Sequence, residues 1–200
     1  MEIHYPPGIK PRKTEAKPIP AVKKPRNLRV SAGNRGMDFE DAINKSNQYY
    51  AEKGLCLITK RPTPINIVKV DYSHGPKITD AYFETQSTTD YNGVYKGRYI
   101  DFEAKTTRLK TSFPLANIPV QQIDHLEKVV YHGGIAFFLI HWQHKSETYL
   151  VPAKYIIDFY RKKERASIPY DDMKANGFLV REGYRPPYDY LPVMEEVFLK

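Results

Sequence analysis

Ile100-Asp101-Phe102-Glu103-Ala104-Lys105 alternates apolar and charged residues without a break. Successive side chains of a strand point to opposite faces, so Ile100, Phe102 and Ala104 share a packed face while Asp101, Glu103 and Lys105 share a charged one. The alternation runs from Arg98 to Thr106, which is the predicted strand. A lone Glu-x-Lys on such a face would be a solvated edge and nothing more. Asp90 changes that reading. It stands thirteen residues before Glu103, on the far side of Asn92-Gly93, a strong turn dipeptide, and Thr88 shares its face if that segment is extended. A second oxygen-bearing strand therefore runs beside the first.

Two carboxylates with a neutral oxygen suit a hard dication such as Mg2+, which takes oxygen ligands in octahedral geometry and keeps several waters. Such an ion activates a water and neutralises a phosphate during in-line displacement. Lys105, next along the face, is then a fixed cation beside the developing phosphorane charge.

Outward from this strand the chain reads as interleaved helices and strands. A helix is predicted from Asn34, with Met37, Phe39, Ile43, Tyr49 and Tyr50 on its apolar stripe and Gly54 as its stop. Leu55 to Thr59 is a short strand, and Pro62 and Pro64 break the chain behind it. The extended runs Ile65 to Tyr72 and Lys77 to Phe83 flank Ser73-His74-Gly75-Pro76 and make a hairpin. Val120 to His132 is a helix, Ile135 to Trp142 a buried strand, Thr148 to Val151 another, and Ala153 to about Arg165 a helix. A short apolar helix, Val193 to Phe198, ends the chain. The alternation implies an α/β fold, a mixed central sheet flanked by helices.

Composition bounds the function. Two hundred residues with 41% apolar content fit one domain. The longest apolar run, Ile135 to Ile140, is far short of a membrane span, and no apolar leader follows the N-terminal charges, which predicts no membrane association. The single Cys56 agrees with a reducing cytoplasm. The net charge of +8 is concentrated: residues 1 to 35 hold nine Lys/Arg against Glu2 and Glu15, while the other 165 residues hold 22 basic and 21 acidic residues. Six prolines fall before residue 26 and no apolar period is sustained there, so residues 1 to 30 are expected to be a flexible basic arm and 31 to 200 the folded domain. An arm of this charge either neutralises nucleic-acid phosphates or keeps the chain soluble. His141-x-x-His144 lacks helical register and a third ligand, which argues against zinc.

Residues 87–105, STTDYNGVYKGRYIDFEAK, with TSFPL at 111–115 and SAGNRGMDFE at 31–40, resemble the RecU family of bacterial Holliday junction resolvases. Asp90, the spacer and Glu103-Ala104-Lys105 also resemble the PD-(D/E)xK nuclease signature, with Thr89 in place of its proline. The resemblance implies a nuclease-like fold and magnesium-dependent, symmetric nicking of four-way junction DNA by a homodimer during recombination and repair. It implies Thr88, Asp90, Glu103 and a glutamine of the next helix as metal ligands, with Lys105 as the stabilising cation. Of the two glutamines there, Gln122 is in register with Leu126 and Val129 on the inward face, whereas Gln121 aligns with His125, Lys128 and His132 outside.

Asp38, Glu40 and Asp41 fall in the predicted first turns of the opening helix, where carboxylates favour the positive end of the dipole. That accounts for Asp38 and Asp41; Glu40 is kept with Lys105 as a candidate catalytic or metal-supporting residue, because acidic residues of the first helix approach the active site in similar nucleases. Asp101 is expected to point past the metal, at most orienting a water or a lysine. Gly33-Asn34-Arg35-Gly36 lacks the residues of a phosphate loop, and is expected instead to free backbone amides and Arg35 for a DNA phosphate. Residues 65 to 83 are expected to project as a hairpin stalk that carries Lys69 and Lys77 to DNA and, by the resemblance, enters the open centre of the junction. The resemblance further implies RecA and the RuvAB branch-migration complex as partners, and a cytoplasmic location at the nucleoid during repair. Two other readings share these residues: a nuclease of the same fold acting on duplex DNA, and a non-enzymatic recombination factor that binds branched DNA.

Deleting residues 1 to 30 should leave a folded protein with weaker DNA affinity and a shallower slope of log affinity against log salt, since each lost phosphate contact removes one released counterion. An unchanged slope would make the arm a solubilising tail.

Overall fold

The structure, a computed structural model, describes residues 32–84 and 88–200, with side chains from Asp38 onward. The basic arm and the Arg35 side chain lie outside the described residues. In chain order the elements are α1 (Ala32–Glu52), β1 (Leu57–Lys60), β2 (Ile65–Asp71), β3 (Lys77–Phe83), β4 (Tyr91–Tyr95), β5 (Arg98–Thr107), β6 (Ser112–Pro114), α2 (Val120–Tyr131), β7 (Ile135–Trp142), β8 (Glu147–Pro152), α3 (Ala153–Lys162), β9 (Ser167–Pro169), α4 (Tyr170–Asn176), β10 (Phe178–Leu179), β11 (Arg181–Glu182), β12 (Tyr188–Asp189) and α5 (Leu191–Phe198).

Six strands form the central sheet in the order β1-β4-β5-β7-β8-β10. β5 and β7 pair in parallel, and the other neighbours are antiparallel. Val120 to Tyr131 lies in the crossover between the two parallel strands, which need a long connection to return to the same end of the sheet. The sheet is buried on both faces, and this explains why β7 reads as a continuous apolar run. Ile135, Phe137 and Leu139 pack with Phe39, Ile43 and Tyr50 of α1 and Leu191 and Met194 of α5. Ala136, Phe138, Ile140 and Trp142 pack on the other side with Ile123 and Leu126 of α2 and Ile156 and Ile157 of α3. The expected mixed sheet between helices is thus observed.

Three aromatic rings tie the middle of the sheet together. Tyr91 and Phe102 are Cα partners in the β4–β5 ladder, and Phe102 and Phe137 are partners in β5–β7. Their rings stack with centroids 4.8 and 4.6 Å apart and nearly parallel planes. Such stacked cross-strand pairs add stabilisation beyond the area they bury.

Several sequence expectations are corrected. Asn92-Gly93 is no turn: both residues lie inside β4, and the reversal is made by Lys96 and Gly97, with φ of 49° and 75°. Two consecutive positive φ values are what a two-residue hairpin turn needs. Gly93 has a different task. A Cβ there would stand 2.1 Å from the Leu57 carbonyl oxygen and 2.7 Å from Ile58 Cα, so only glycine lets β1 approach β4. Helix α1 begins at Ala32, two residues before the predicted start, which leaves no acidic residue in its first turn. The dipole explanation of Asp38 and Asp41 therefore fails, and Gly33 to Gly36 lie within the helix. Helix α3 stops at Lys162, short of Arg165, because Lys163 turns left-handed at φ 55°.

The hairpin expected at residues 65 to 83 is present as a two-stranded sheet of its own, β2 with β3, outside the central sheet. Its apolar residues do not enter a core: Ile67 is 54% exposed, Val68 59%, Tyr82 59% and Phe83 78%. Lys69 and Lys77 lie on this ribbon, both exposed, with Asp80 and Asp71 as their cross-strand partners.

Gly93→Ala should lower the unfolding free energy by about 1–3 kcal/mol, the usual cost of forcing extra volume into packed structure, as read by denaturant melts. Stability equal to that of the unsubstituted chain would mean that β1 does not approach β4 this closely.

Candidate active site

β5 supplies the charged face anticipated from its alternation, but that face is not solvated. Asp101 is 0% exposed and Glu103 1%, because α2 covers this side of the sheet. A buried carboxylate must have partners, since its desolvation costs far more than an isolated charge can recover.

Antiparallel pairing of Tyr91 with Phe102 sets Asp90 opposite Glu103. Asp90 donates its backbone N–H to Glu103 Oε2 at 3.0 Å, and the Asp90 carboxylate accepts from the backbone N–H of Ala104 at 3.3 Å. Glu103 Oε1 takes two further donors, Gln122 Nε2 at 2.8 Å and Lys105 Nζ at 2.7 Å. The choice between the two glutamines follows the helical register: Gln122 is buried and reaches Glu103, while Gln121 is exposed. The Gln122 Oε1 atom is buried and has no hydrogen-bond partner. Thr88, half-buried, begins the short irregular segment that carries Asp90.

Burial pushes the Glu103 carboxyl up to about 8, with the Asp90 charge adding to the rise; the Lys105 ammonium opposes it without cancelling it. Among the described residues no three His, Cys, Asp or Glu side chains gather closely enough to hold a metal. A cation held by the acidic pair would draw further oxygens from elsewhere, and the Gln122 Oε1 atom is one that has no partner of its own. Asp90, Glu103 and Gln122 thus make an all-oxygen set that fits a hard divalent cation.

Glu40 approaches from α1. Its carboxylate pairs with Lys60 of β1, and a cavity of about 300 Å3 is lined by Glu40 together with Lys105, Phe39, Ala104, Thr106 and Asn117. Glu40 therefore shares a cavity with Lys105, with Lys60 beside it.

The model of the family described as recombination protein U matches residues 34–196. The chain belongs to the RecU family. Among its relatives, Holliday junction resolvase RecU of Streptococcus equi subsp. zooepidemicus is 48% identical over 186 residues, 92% of each chain. That of Streptococcus sanguinis is 45% identical over 200 residues, 98% of this chain and 96% of the relative. Among solved structures, the Archaeoglobus fulgidus Holliday junction resolvase Hjc matches at a TM-score of 0.40 and 11% identity, over 72% of this chain and 94% of that one.

In this RecU-family chain the largest departure from expectation is Asp101. It does not point towards Lys105 or open solvent. Its Oδ2 accepts from Arg61 Nη2 at 2.7 Å and the Tyr99 hydroxyl at 2.8 Å, and lies 2.8 Å from His125 Nε2. Its Oδ1 accepts from the Thr89 hydroxyl. Burial works against ionisation of Asp101, yet the hydrogen bonds from His125, Thr89 and Tyr99 and the Arg61 charge hold its carboxyl below the usual range. His125, assigned to the outer helix face, is half-buried against this carboxylate. Its place one helical turn after Gln122 was the signal, since residues three apart share a face. Arg61, seven residues beyond the Gly54 stop of α1's apolar pattern and next to Pro62, carried no sequence signal of its own.

The raised Glu103 carboxyl makes a stability prediction. The folded state binds that proton more tightly than the unfolded chain, so the contribution is full below the ordinary glutamate value of 4.5 and is lost as pH rises through about 8. Glu103→Gln, in metal-free solution, should therefore raise the thermal midpoint at pH 8.5 relative to the unsubstituted chain, with the gain fading at pH 5. Added divalent cation should stabilise the unsubstituted chain and leave Glu103→Gln unmoved. Scanning calorimetry at both pH values measures this, and a gain at pH 5 as large as at pH 8.5 would refute the buried-charge account.

Proposed function

We propose that this chain is a divalent-metal-dependent endonuclease, using magnesium, that resolves Holliday junctions by symmetric nicking as a homodimer in recombination and repair. Membership of the RecU family supports the activity, and the names of its relatives indicate the substrate. One observation carries the chemistry: in a chain of this family, Asp90, the Gln122 amide and the Lys105 ammonium all meet the Glu103 carboxylate, and the Gln122 oxygen is buried without a partner.

Asp90, Glu103, the Gln122 Oε1 atom and Thr88 would hold the cation, which supplies an activated water and neutralises phosphate charge when bound. Lys105 stands next to Glu103 and stabilises the charge that develops on the phosphate oxygens. Glu40, which lines a cavity with Lys105 and pairs with Lys60, is kept as a catalytic or metal-supporting residue. Water is limited at the carboxylates by α2, which strengthens each of these charge interactions.

The β2–β3 ribbon offers exposed apolar and basic residues to the substrate, and in a two-fold dimer one ribbon per subunit suits a crossover of near two-fold symmetry. The basic arm and Arg35 add phosphate contacts. RecA and RuvAB are the proposed protein partners. None of the described helices is long and apolar enough to cross a membrane, and the proposed location is the cytoplasm, at the nucleoid during repair.

Incubation of the full chain with labelled four-way junction, duplex and single-stranded DNA, with and without Mg2+, tests the proposal. Paired nicks in the junction alone, dependent on Mg2+, are expected. Equal cutting of duplex would make the chain a general nuclease, and binding without cutting would make it a recombination factor. Asp90→Asn should abolish cleavage while retaining junction binding, and Lys105→Ala should slow cleavage by ~100-fold or more without rescue by higher Mg2+. Trimming residues 72–78 to a tight turn should reduce junction cleavage much more than duplex binding; equal losses would remove the ribbon from substrate recognition.

A further inference from the structure

Segment 88–90 has no regular secondary structure, yet it carries two of the residues proposed to hold the cation. Something other than a ladder must fix it. The Thr89 hydroxyl, between those two residues, donates to Asp101 Oδ1 and accepts from Arg61 Nη1 at 2.9 Å. Arg61 also donates its backbone N–H to the Asp90 carbonyl oxygen at 2.7 Å, and its guanidinium donates to Asp101. The same carboxylate lies 2.8 Å from His125, one turn along α2 from Gln122. Asp101 itself stands two residues from Glu103 on the same face of β5.

We propose that Asp101 is a positioning residue, which through Thr89 and His125 locks the Asp90 segment, β5 and α2 into one cation-binding geometry. This rests on the function proposed above. A fold seldom needs a buried carboxylate for stability, since well-packed apolar residues of similar volume serve as well or better. Four donors on one carboxylate, three of them from pieces of chain other than its own strand, instead fix directions. Thr89 stands where the nuclease motif has proline; the exchange replaces a rigid ring by a hydroxyl that can be tied to Asp101. Neither Asp101 nor Thr89 needs to touch the cation or the DNA. Residues that orient ligands from behind in this way commonly control metal affinity by roughly 10–100-fold.

Titration of the full chain with Mn2+, followed by calorimetry and by the electron paramagnetic resonance spectrum of the bound ion, tests this without DNA cleavage. Thr89→Val keeps the shape and removes the hydroxyl, whereas Thr89→Ser keeps the hydroxyl. The expected result is a roughly 10–100-fold weaker Mn2+ affinity and an altered spectrum for Thr89→Val, with Thr89→Ser close to the unsubstituted chain. Asp101→Asn should behave as Thr89→Val does; if it fails to fold, the Thr89 pair decides. Thr89→Val with unaltered Mn2+ affinity and spectrum, while Asp90→Asn loses Mn2+, overturns the positioning role and leaves the function intact. A lowered melting midpoint with unaltered affinity does the same, since it is the mark of a merely structural hydroxyl. Unaltered Mn2+ binding by Asp90→Asn removes the cation site itself, and the function proposed on it.

Discussion

The register of β4 against β5 is the constraint on which everything else depends, and the stacked rings of Tyr91, Phe102 and Phe137 set it. A slip of one residue would turn every side chain of β5 to the opposite face. Asp101, Glu103 and Lys105 would then enter the cluster around α1 and α5, and Phe102 would meet α2. Because Tyr91 and Phe102 stand next to Asp90 and Glu103 in sequence, the apolar interaction that holds the register also sets the two carboxylates face to face. Packing on one side of the sheet thereby determines chemistry on the other.

Two carboxylates on one face of one strand are driven in opposite directions. Both are buried, yet Asp101 has four donors and stays below the usual range, whereas Glu103 has fewer compensating donors and the Asp90 charge nearby and rises to about 8. Environment, not residue type, assigns the roles. The anion with its partners complete holds its neighbours in place. The one whose neighbourhood is still short of positive charge is the one that would welcome a cation.

Those parts of the chain whose function lies in a periodic pattern were legible in the sequence. The continuous apolar run of β7 and the helical register of Gln122 correspond to observed burial, and the alternation of β5 gives its two faces, although both of them are buried. Features that depend on contacts between distant segments were not. Asn92-Gly93 looks like a turn, because no local property reveals that Leu57 and Ile58 will press against Gly93. Asp101 and His125 meet only because the crossover helix α2 returns over β5, and Arg61 joins them from beyond a proline-rich bend. The short strands β6, β9, β10, β11 and β12 and the helix α4 escaped for a simpler reason: two to seven residues are too few for a period to emerge. Of the candidate site, the acidic pair, the lysine and the amide were readable, and the supporting network was not.

The exposed ribbon formed by β2 and β3 stands apart from this economy. Its side chains contribute little to either apolar cluster, so replacing them changes the core scarcely at all. In evolutionary terms the chain keeps two ledgers. Residues of β4, β5 and β7 are bound by folding and chemistry at once and have little liberty to vary. Those of the ribbon answer only to whatever they touch outside the molecule, and can drift or adapt without the rest of the protein having to follow.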